Sequence, residues 1–574
     1  MPAPPSFTSA TWIPVDAKPE AIARLRAAGL SQTAARCAAI RWGDTEDAEP
    51  WRQPSFEHLE DPLAMAGMEE AVERLRRATA NGERIRIITD YDVDGTTSSL
   101  ILQATLGLLG GGAALDYHIP NRLEEGYGLS VHAADLAADD GIDLVVTADI
   151  GVRDHAAVAH AVERGVEVLI CDHHLPAGSA VPDNALVLCP PQQGCTYPNP
   201  HLAACGITFK LAQALLADHP RRDAVVRSLL KLAAIGTVAD MVPLTTLENR
   251  AIVSLGLAEL NRGPHHAGLQ ALLETCQLRA GEIGETDLGF RLGPRINAAG
   301  RMADASLVVE LLSCRDREPA LELARRIEHH NQERRRVQER LVAQVSKRLD
   351  DDVDPFVVAA GPEAEGWHRG VIGIVASRIK EEVHRPVAVV SIQGEWAVGS
   401  VRSIPEVHAV QALETANDLL AKFGGHPAAA GFTVRTADLD TLRERLCSYV
   451  VEQGASLERV RQVDAELPAT SLDMELHEEL ASLGPFGIGN PRPRLVVRDV
   501  QVHALRLLGS AQRMVRFLVP RPGRGHLEAV WWDQAELVDA LTSRPVDLLG
   551  ALAVNRWKGR RRLQFRVTDA RPAR

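Results

Sequence analysis

Ile85-Arg86-Ile87-Ile88-Thr89-Asp90-Tyr91-Asp92-Val93-Asp94-Gly95 passes from a short Ile-rich run directly into three acids at alternate positions. Such a run, rich in branched side chains, is what a strand buried on both faces requires. Two further runs end the same way. Ile142 to Thr147 leads through Ala148 to Asp149-Ile150-Gly151, and Val166 to Ile170 leads through Cys171 to Asp172-His173-His174. Each acid stands where a strand stops. In an open parallel sheet the carboxyl ends of the strands form the crevice where ligands bind, so separate strands bring these acids to one place. If Asp90, Asp92 and Asp94 stay extended, the two-residue period points all three to one side. Gly95 then permits a tight turn, and Thr96 or Thr97 caps the apolar helix that runs through Leu109.

Carboxylates packed together repel one another, and a divalent cation among them keeps them ionised. His173 adds an imidazole. An oxygen-rich shell with one or two imidazoles suits Mn²⁺ or Mg²⁺, whereas a structural zinc site favours thiolates, and Cys171 has no partner for one. Two such ions about 4 Å apart activate a water and stabilise the leaving oxygen of a phosphodiester. A single Asp at a strand end is ordinarily a turn former or helix cap. Turn chemistry does not explain three alternate acids, two further strand-end acids and a His pair together.

A fourth element, Gly236-Thr237-Val238-Ala239-Asp240-Met241-Val242-Pro243-Leu244, follows the helical stretch Leu229 to Ile235 and places another acid in a loop. The ordered set Asp-Tyr-Asp-x-Asp-Gly, Asp-x-Gly, Asp-His-His and Gly-Thr-Val-Ala-Asp resembles the DHH phosphoesterase superfamily. Within it the chain is similar to the RecJ family of single-strand-specific DNA exonucleases. The likeness runs from Asp61-Pro62-Leu63-Ala64-Met65 through Pro120 to Leu129 and Leu292 to Arg301. It continues through Trp367 to Val375 and Gly424 to Gly431, which resemble the DHH-associated domain, and Pro485 to Pro491, which resembles the approach to an oligonucleotide-binding barrel.

The resemblance implies roles by position. Asp92, Asp94, Asp149, His173 and Asp240 match the principal metal ligands, with Asp149 the bridge between two ions of Mn²⁺ or Mg²⁺. Asp90, Asp172 and His174 complete the cluster, and His174 matches a histidine facing the substrate phosphate. Arg295, Asn297 and Arg301 match a loop that approaches the cluster and the scissile phosphate. Two departures stand out: Ile150 where the family often has Asn, and Thr89 where Gly is common. Neither removes a ligand, although Ile150 lacks the polar group that would tune one.

The implied architecture is α/β. Residues 1–50 form an N-terminal helical segment, 51–305 the parallel-sheet DHH domain, 306–354 a long connecting helix, 355–455 a smaller α/β DHH-associated domain, and 456–574 a C-terminal β-barrel of the oligonucleotide-binding type. From Glu318 to Leu349 the apolar residues Leu321, Ala324, Ile327, Leu341, Val345 and Leu349 keep helical spacing, and Pro355 ends the element. His329 and His330 within it read as a solvated face, and Asp350 to Asp354 as an exposed linker. In the smaller domain Ser400, Arg402 and Ser403 and the Gly424-Gly425-His426 loop offer amides and a guanidinium to a phosphate, or else a tight turn with a structural His. Runs at 495–507, 514–519, 527–532, 546–554 and 563–568 suit barrel strands.

With 574 residues the chain can hold three or four domains. No apolar stretch is long enough to span a membrane, and Met1 to Trp12 lacks a secretory signal. The eight cysteines are scattered without a Cys-x-x-Cys pair, which points to a reducing, cytoplasmic setting. The net charge of −13 argues against a polyanionic partner only as a global sum, because DNA affinity depends on local Lys/Arg stripes. Arg556-Trp557-Lys558-Gly559-Arg560-Arg561-Arg562 is the best such stripe, with a solvated turn between strands as its alternative. Aromatic residues are only 4% of the chain, so grip rests on backbone contacts rather than on an extensive stacking platform.

The resulting expectation is a metal-dependent exonuclease that degrades single-stranded DNA to mononucleotides in recombination and repair. Its 5′ to 3′ polarity follows from the resemblance alone. Candidate protein partners are a single-strand-binding protein and a helicase. The neighbouring alternative is a nanoRNA or cyclic-dinucleotide phosphodiesterase, against which the extra barrel and long helix argue. A catalytically silent DNA-binding scaffold is the other, and it would lack cluster acids.

Overall fold

The computed structural model describes residues 10–573 apart from Glu46, Leu123, Glu124, Ala177, Ser179, Asp350 to Asp352, Ser510 to Gln512, Lys558 and Gly559, and gives the backbone alone for Arg556 and Trp557. The chain forms two compact units. One comprises Leu59–Val242 and Ile252–Leu457, the other Met1–His58, Pro243–Ala251 and Glu458–Arg574.

The first unit opens on a five-stranded, wholly parallel sheet. Its order is Ala114–His118, Arg84–Thr89, Leu144–Ala148, Glu167–Cys171 and Leu186–Leu188. The Ile-rich runs form strands for the reason their composition gives: Ile85, Ile87 and Ile88, then Leu144, Val145 and Val146, then Val168, Leu169 and Ile170 are all buried. Strand order reverses between Arg84–Thr89 and Leu144–Ala148, the switch point where the connections diverge and a crevice opens at the carboxyl ends. The helix Val93–Leu109 is buried continuously from Val93 to Leu102 and packs on Ala204–Leu215 and Arg222–Ala239. A helix apolar on every side belongs inside, and this one carries the first acids into the interior.

The stretch read as one connecting helix contains two, Ser306–Ser313 and the 30-residue Arg317–Ser346. The longer one buries Ala320, Ala324 and Ile327 in the core shared with Ile296 and Ala299. Its far end buries Leu341 and Val345 with Trp367, Val371 and Val375, so a single rigid element joins two cores. His329 is exposed and His330 half-buried. Asp350 to Asp352 lie outside the described residues.

Beyond that helix stands a mixed sheet in the order Leu420–His426, Ala429–Arg435, Trp396–Arg402, Val387–Gln393, Val357–Pro362. Only the last two strands run parallel. The helix Arg369–Val383 covers this sheet, burying Val371, Ile372, Val375, Ala376 and Ile379.

In the second unit seven strands form one sheet in the order Ala465–Glu466, Leu495–Val500, Val546–Trp557, Arg560–Pro572, Gly525–Trp532, Met514–Arg521, His503–Leu508. The single run expected at 495–507 is two strands. Asp499 and Ala504, with φ of 52° and 49°, are left-handed positions inside these strands, where their pairing registers shift. The helix Gln32–Trp42 packs on the same apolar core as Phe517, Trp531 and Phe565, and strand Thr11–Pro14 pairs with Val460–Val463. The Pro485–Pro491 stretch folds back on Pro243–Thr245: Leu244 N–H donates to the Ile488 carbonyl at 2.8 Å. A Cβ at Gly489 would lie 2.4 Å from Thr245 Cγ2, so only glycine fits there.

Candidate metal centre

The three acids after the first strand do not remain extended. Asp92 is the N-cap of Val93–Leu109, its Oδ1 accepting the backbone amides of Asp94 at 2.8 Å and Gly95 at 3.1 Å. Asp, with a short acceptor side chain, outcompetes Thr96 and Thr97 for the cap. Those threonines instead donate to carbonyls inside the helix, Thr96 to Asp92 and Thr97 to Val93. Asp90 ends the strand, Asp92 caps the helix and Asp94 sits in its first turn, so sheet and helix each contribute. Gly95 matters for a different reason than a turn: a Cβ there would lie 2.2 Å from the Asp90 carbonyl oxygen.

Asp94 is buried and clamped. Ala204 N–H donates to its Oδ2 at 2.7 Å and Cys205 N–H to its Oδ1 at 2.9 Å, both from the start of Ala204–Leu215, where helix amides lack internal partners. Asp149 has φ of 66°, a costly conformation for a residue with a Cβ, of the kind stored at functional sites. Asp240 is no loop residue but the C-cap of Arg222–Ala239, followed by Met241 at φ 63°.

Around these carboxylates His173 is central. Its Nε2 lies 3.2 Å from Asp149 Oδ1, 3.6 Å from Asp240 Oδ2 and 3.9 Å from Asp94 Oδ2. Donor atoms cluster in three overlapping sets, each within 4.8 Å: Asp90, Asp92 and Asp149; Asp94, His173 and Asp240; Asp149, His173 and His174. Asp149 and His173 each belong to two of them. Asp172 acts differently: its Oδ1 accepts the amides of His173 at 2.8 Å and His174 at 3.1 Å and faces His174 Nδ1 at 2.7 Å, while Oδ2 accepts Val152 N–H.

Electrostatics separate the two kinds of acid. Burial, then the charges of Asp92, Asp94, Asp90 and Asp240, push the Asp149 carboxyl well above its usual range. Burial likewise raises Asp240, helped by Asp94 and Asp92, and raises Asp90, helped by Asp92. For Asp172 burial also works upward, but the His174 hydrogen bond and the two imidazole charges prevail and hold it at about 2. Among the described residues no Lys or Arg pairs with Asp90, Asp92, Asp94, Asp149 or Asp240; their only cationic neighbours within ion-pair distance are His173 and His174. Five crowded acids without a basic counter-ion, plus imidazole nitrogens, fit a hard divalent cation with oxygen and nitrogen ligands.

The smaller sheet reaches this cluster through His426. His426 stacks on His174 with ring centroids 6.1 Å apart and planes at 19°. Gly424, Gly425 and His426 form no loop but end the edge strand Leu420–His426, and a Cβ at Gly425 would lie 2.3 Å from the Ala429 carbonyl in the hairpin. Arg402 Nη1 donates to Ser400 Oγ at 3.0 Å. Ser403 is buried and its hydroxyl donates to the Val407 carbonyl at 2.6 Å, which leaves it no free proton.

Arg295, Asn297 and Arg301 lie on a helix, Gly293–Met302, rather than a loop. Arg295 turns from the cluster to Glu328 of the connecting helix, at 2.6 Å. Asn297 is half-buried. Arg301 donates to the Gly370 carbonyl at 3.1 Å, and burial with the charges of Arg122, Arg402 and Arg334 lowers its pKa to about 9. Arg122 and Tyr127, absent from the sequence-based set, belong here too: Arg122 lies 4.2 Å over the Tyr91 ring. Both fall inside the Pro120–Leu129 motif, and its Gly-Tyr-Gly was the available signal. Ile150 packs in the apolar cluster with Ile88 and Ile170, so a polar group is not missed at its position. Arg556 has only its backbone described, and Lys558 lies outside the described residues.

Three segments match known family descriptions: the DHH family, N-terminal domain, over residues 84–237; the DHHA1 domain over 354–452; and the RecJ OB domain over 463–569. The single-stranded-DNA-specific exonuclease RecJ of Dickeya dadantii is 36% identical over 545 residues, 90% of this chain and 92% of its own length. The chain belongs to the RecJ family. RecJ of Bacillus subtilis is also 36% identical, over 89% of this chain, but the chain spans only 64% of that longer relative. The structure of Thermus thermophilus RecJ in complex with Mn²⁺ superimposes with a TM-score of 0.83 at 30% identity, covering 98% of this chain and 80% of the other; the Mg²⁺ complex gives 0.78 at 29%. Among the described residues no helix is long and apolar enough to cross a membrane.

Proposed function

We propose that this chain is a divalent-metal-dependent exonuclease specific for single-stranded DNA, acting from the 5′ end, releasing mononucleotides, and serving strand resection in recombination and repair. The observation that carries the reading is the meeting of Asp94, Asp149, His173 and Asp240, from four separate segments, within a few ångströms and without a basic counter-ion. Asp92, Asp94, Asp149, His173 and Asp240 would hold two ions, Mn²⁺ or Mg²⁺, with Asp149 shared. When bound, such ions supply Lewis acidity that activates water and neutralises charge on a phosphodiester.

The chain's own residues do the rest. Asp172 fixes the His174 ring through Nδ1 and accepts the amides of His173 and His174, so Nε2 is the nitrogen that would be presented to a phosphate oxygen. Arg301 and Arg402, with Arg122 near both, concentrate positive charge beside Asp92, where a strand's phosphates would be drawn in without regard to sequence. Ser400 adds a hydroxyl held by Arg402. His174 and His426 stack with ring centroids 6.1 Å apart, which brings the smaller sheet up to the cluster. A groove bounded by the cluster and the smaller sheet would admit a single strand and exclude a duplex. The second unit's sheet would hold the strand through its Arg-rich face, where Arg516, Arg560, Arg562 and Arg566 line a cavity of about 850 Å³ with Trp532.

The test is incubation of the purified chain with 5′- and 3′-labelled oligonucleotides, single and double stranded, with Mn²⁺, Mg²⁺ or chelator. Loss of single strands from the 5′ end, abolished by chelator and by Asp149→Ala, is expected. Cleavage confined to the shortest oligonucleotides would replace this reading with a nanoRNA phosphodiesterase.

A further inference from the structure

Tyr127 stands apart from every ligand yet touches the centre. Its hydroxyl lies 3.2 Å from the Asp149 carbonyl oxygen, 3.1 Å from His174 Nε2 and 3.5 Å from Nδ1, the nitrogen that faces Asp172, so it meets the imidazole between its two nitrogens. The two rings meet edge to face, with centroids 6.0 Å apart at 73°. The phenol is 56% exposed although its polar end is turned inward, the reverse of a surface tyrosine.

The backbone around it is built for that placement. Gly126 and Gly128 have φ of 88° and 94°, in the region that favours glycine. Asp154 Oδ2 accepts the Leu129 amide at 2.7 Å, and a Cβ on Gly128 would lie 2.8 Å from Asp154 Oδ1. The loop therefore presses close against Asp154 and delivers the phenol to one spot. Asp172 secures the His174 imidazole at Nδ1 and His426 covers a face, and the Tyr127 hydroxyl is the further polar group that meets the ring, nearest Nε2.

We infer that Tyr127 is a positioning residue: in the free protein its hydroxyl holds the His174 imidazole at Nε2 and keeps the ring oriented over the carboxylate cluster until a phosphate oxygen takes the hydroxyl's place at Nε2. The inference rests on the exonuclease reading only for its kinetic consequence; the clamp itself is a property of the free protein.

Tyr127→Phe in the full chain removes the hydroxyl and keeps the ring. With Mn²⁺ and a single-stranded oligonucleotide, kcat is expected to fall about tenfold, the worth of one hydrogen bond, with KM within about twofold. Independently, carbethoxylation of His174 by diethylpyrocarbonate, followed by peptide mass spectrometry, is expected to run several-fold faster in Tyr127→Phe, because Nε2 loses its cap. Unchanged labelling of His174 overturns the clamp. Faster labelling with unchanged kcat overturns the positioning role. A wild-type chain that leaves single strands intact sinks the exonuclease reading, while the labelling rates still decide the clamp.

Discussion

Gly236→Ala places a methyl group where the structure has none to spare. Gly236 lies inside Arg222–Ala239, and a Cβ there would fall 2.4 Å from Cys205 Sγ, 2.6 Å from Thr97 Oγ1 and 3.0 Å from Asp94 Oδ1. Ordinary carbon contacts need about 3.5–4.0 Å, so the neighbouring helices must part by roughly 1 Å. Alanine's better helix propensity offsets about 1 kcal/mol, while overpacking costs about 1–3 kcal/mol, so the net loss of stability is about 0–2 kcal/mol. Activity should suffer far more. Asp94 is held by amides of the same helix that carries Cys205, and a displacement of about 1 Å at a catalytic group costs on the order of 100-fold. The assay is Mn²⁺-dependent release from a 5′-labelled single strand, read beside the thermal midpoint. Cys205→Ala and Thr97→Ala added together remove both contacts under 3 Å and should recover about tenfold of the loss. Full activity in Gly236→Ala at an unchanged Mn²⁺ requirement would refute the claim that packing sets the position of Asp94.

Asp149 and Asp240 have folded pKa values above the unfolded value of about 4, so the metal-free fold loses stability as pH rises through about 4 and on to the raised folded values. The Mn²⁺-induced rise in thermal midpoint should accordingly be larger at alkaline than at acidic pH, and Asp149→Asn should raise the metal-free midpoint while abolishing nuclease activity; equal Mn²⁺ effects at both pH values contradict this. Arg250 is fully buried, lies 5.4 Å from the Trp51 ring and donates through Nη2 to the carbonyls of Trp51, Leu483 and Gly484. Arg250→Met leaves those acceptors unpaired and should lower the stability of its unit by about 2–4 kcal/mol, measured as an earlier denaturant midpoint. Ser400 and Ser403 should part company: Ser400→Ala raises KM for single strands, whereas Ser403→Ala costs about 1 kcal/mol of stability through the lost Val407 bond and leaves KM unchanged.

The parallel sheet was legible because burial on both faces leaves an apolar run that ends abruptly at an acid. Asp149, Asp172 and the His pair follow from that rule, and so does their convergence. Periodicity alone misplaced the first triplet, since it cannot register that the Asp92 N-cap starts the helix four or five residues earlier than a cap at Thr96 or Thr97 would. The same limit made a loop of Arg295, Asn297 and Arg301. Gly293 and Pro294 suggest a break, yet Pro is compatible with the first helical turn, and here it begins Gly293–Met302. Ser403 looked equivalent to Ser400 in sequence, and only the fold shows its hydroxyl engaged with Val407. Tyr127 falls within the Pro120–Leu129 motif, but nothing local marks its role, because its partner His174 lies 47 positions away.

The central claim is that the acids and imidazole of this cluster hold divalent ions. Anomalous diffraction from crystals grown with Mn²⁺ addresses it directly. The account predicts two peaks, bound by Asp92, Asp94, Asp149, His173 and Asp240 and sharing Asp149, both lost in Asp149→Ala. A map with no Mn²⁺ among these side chains, from a chain that nonetheless degrades single-stranded DNA, would contradict it.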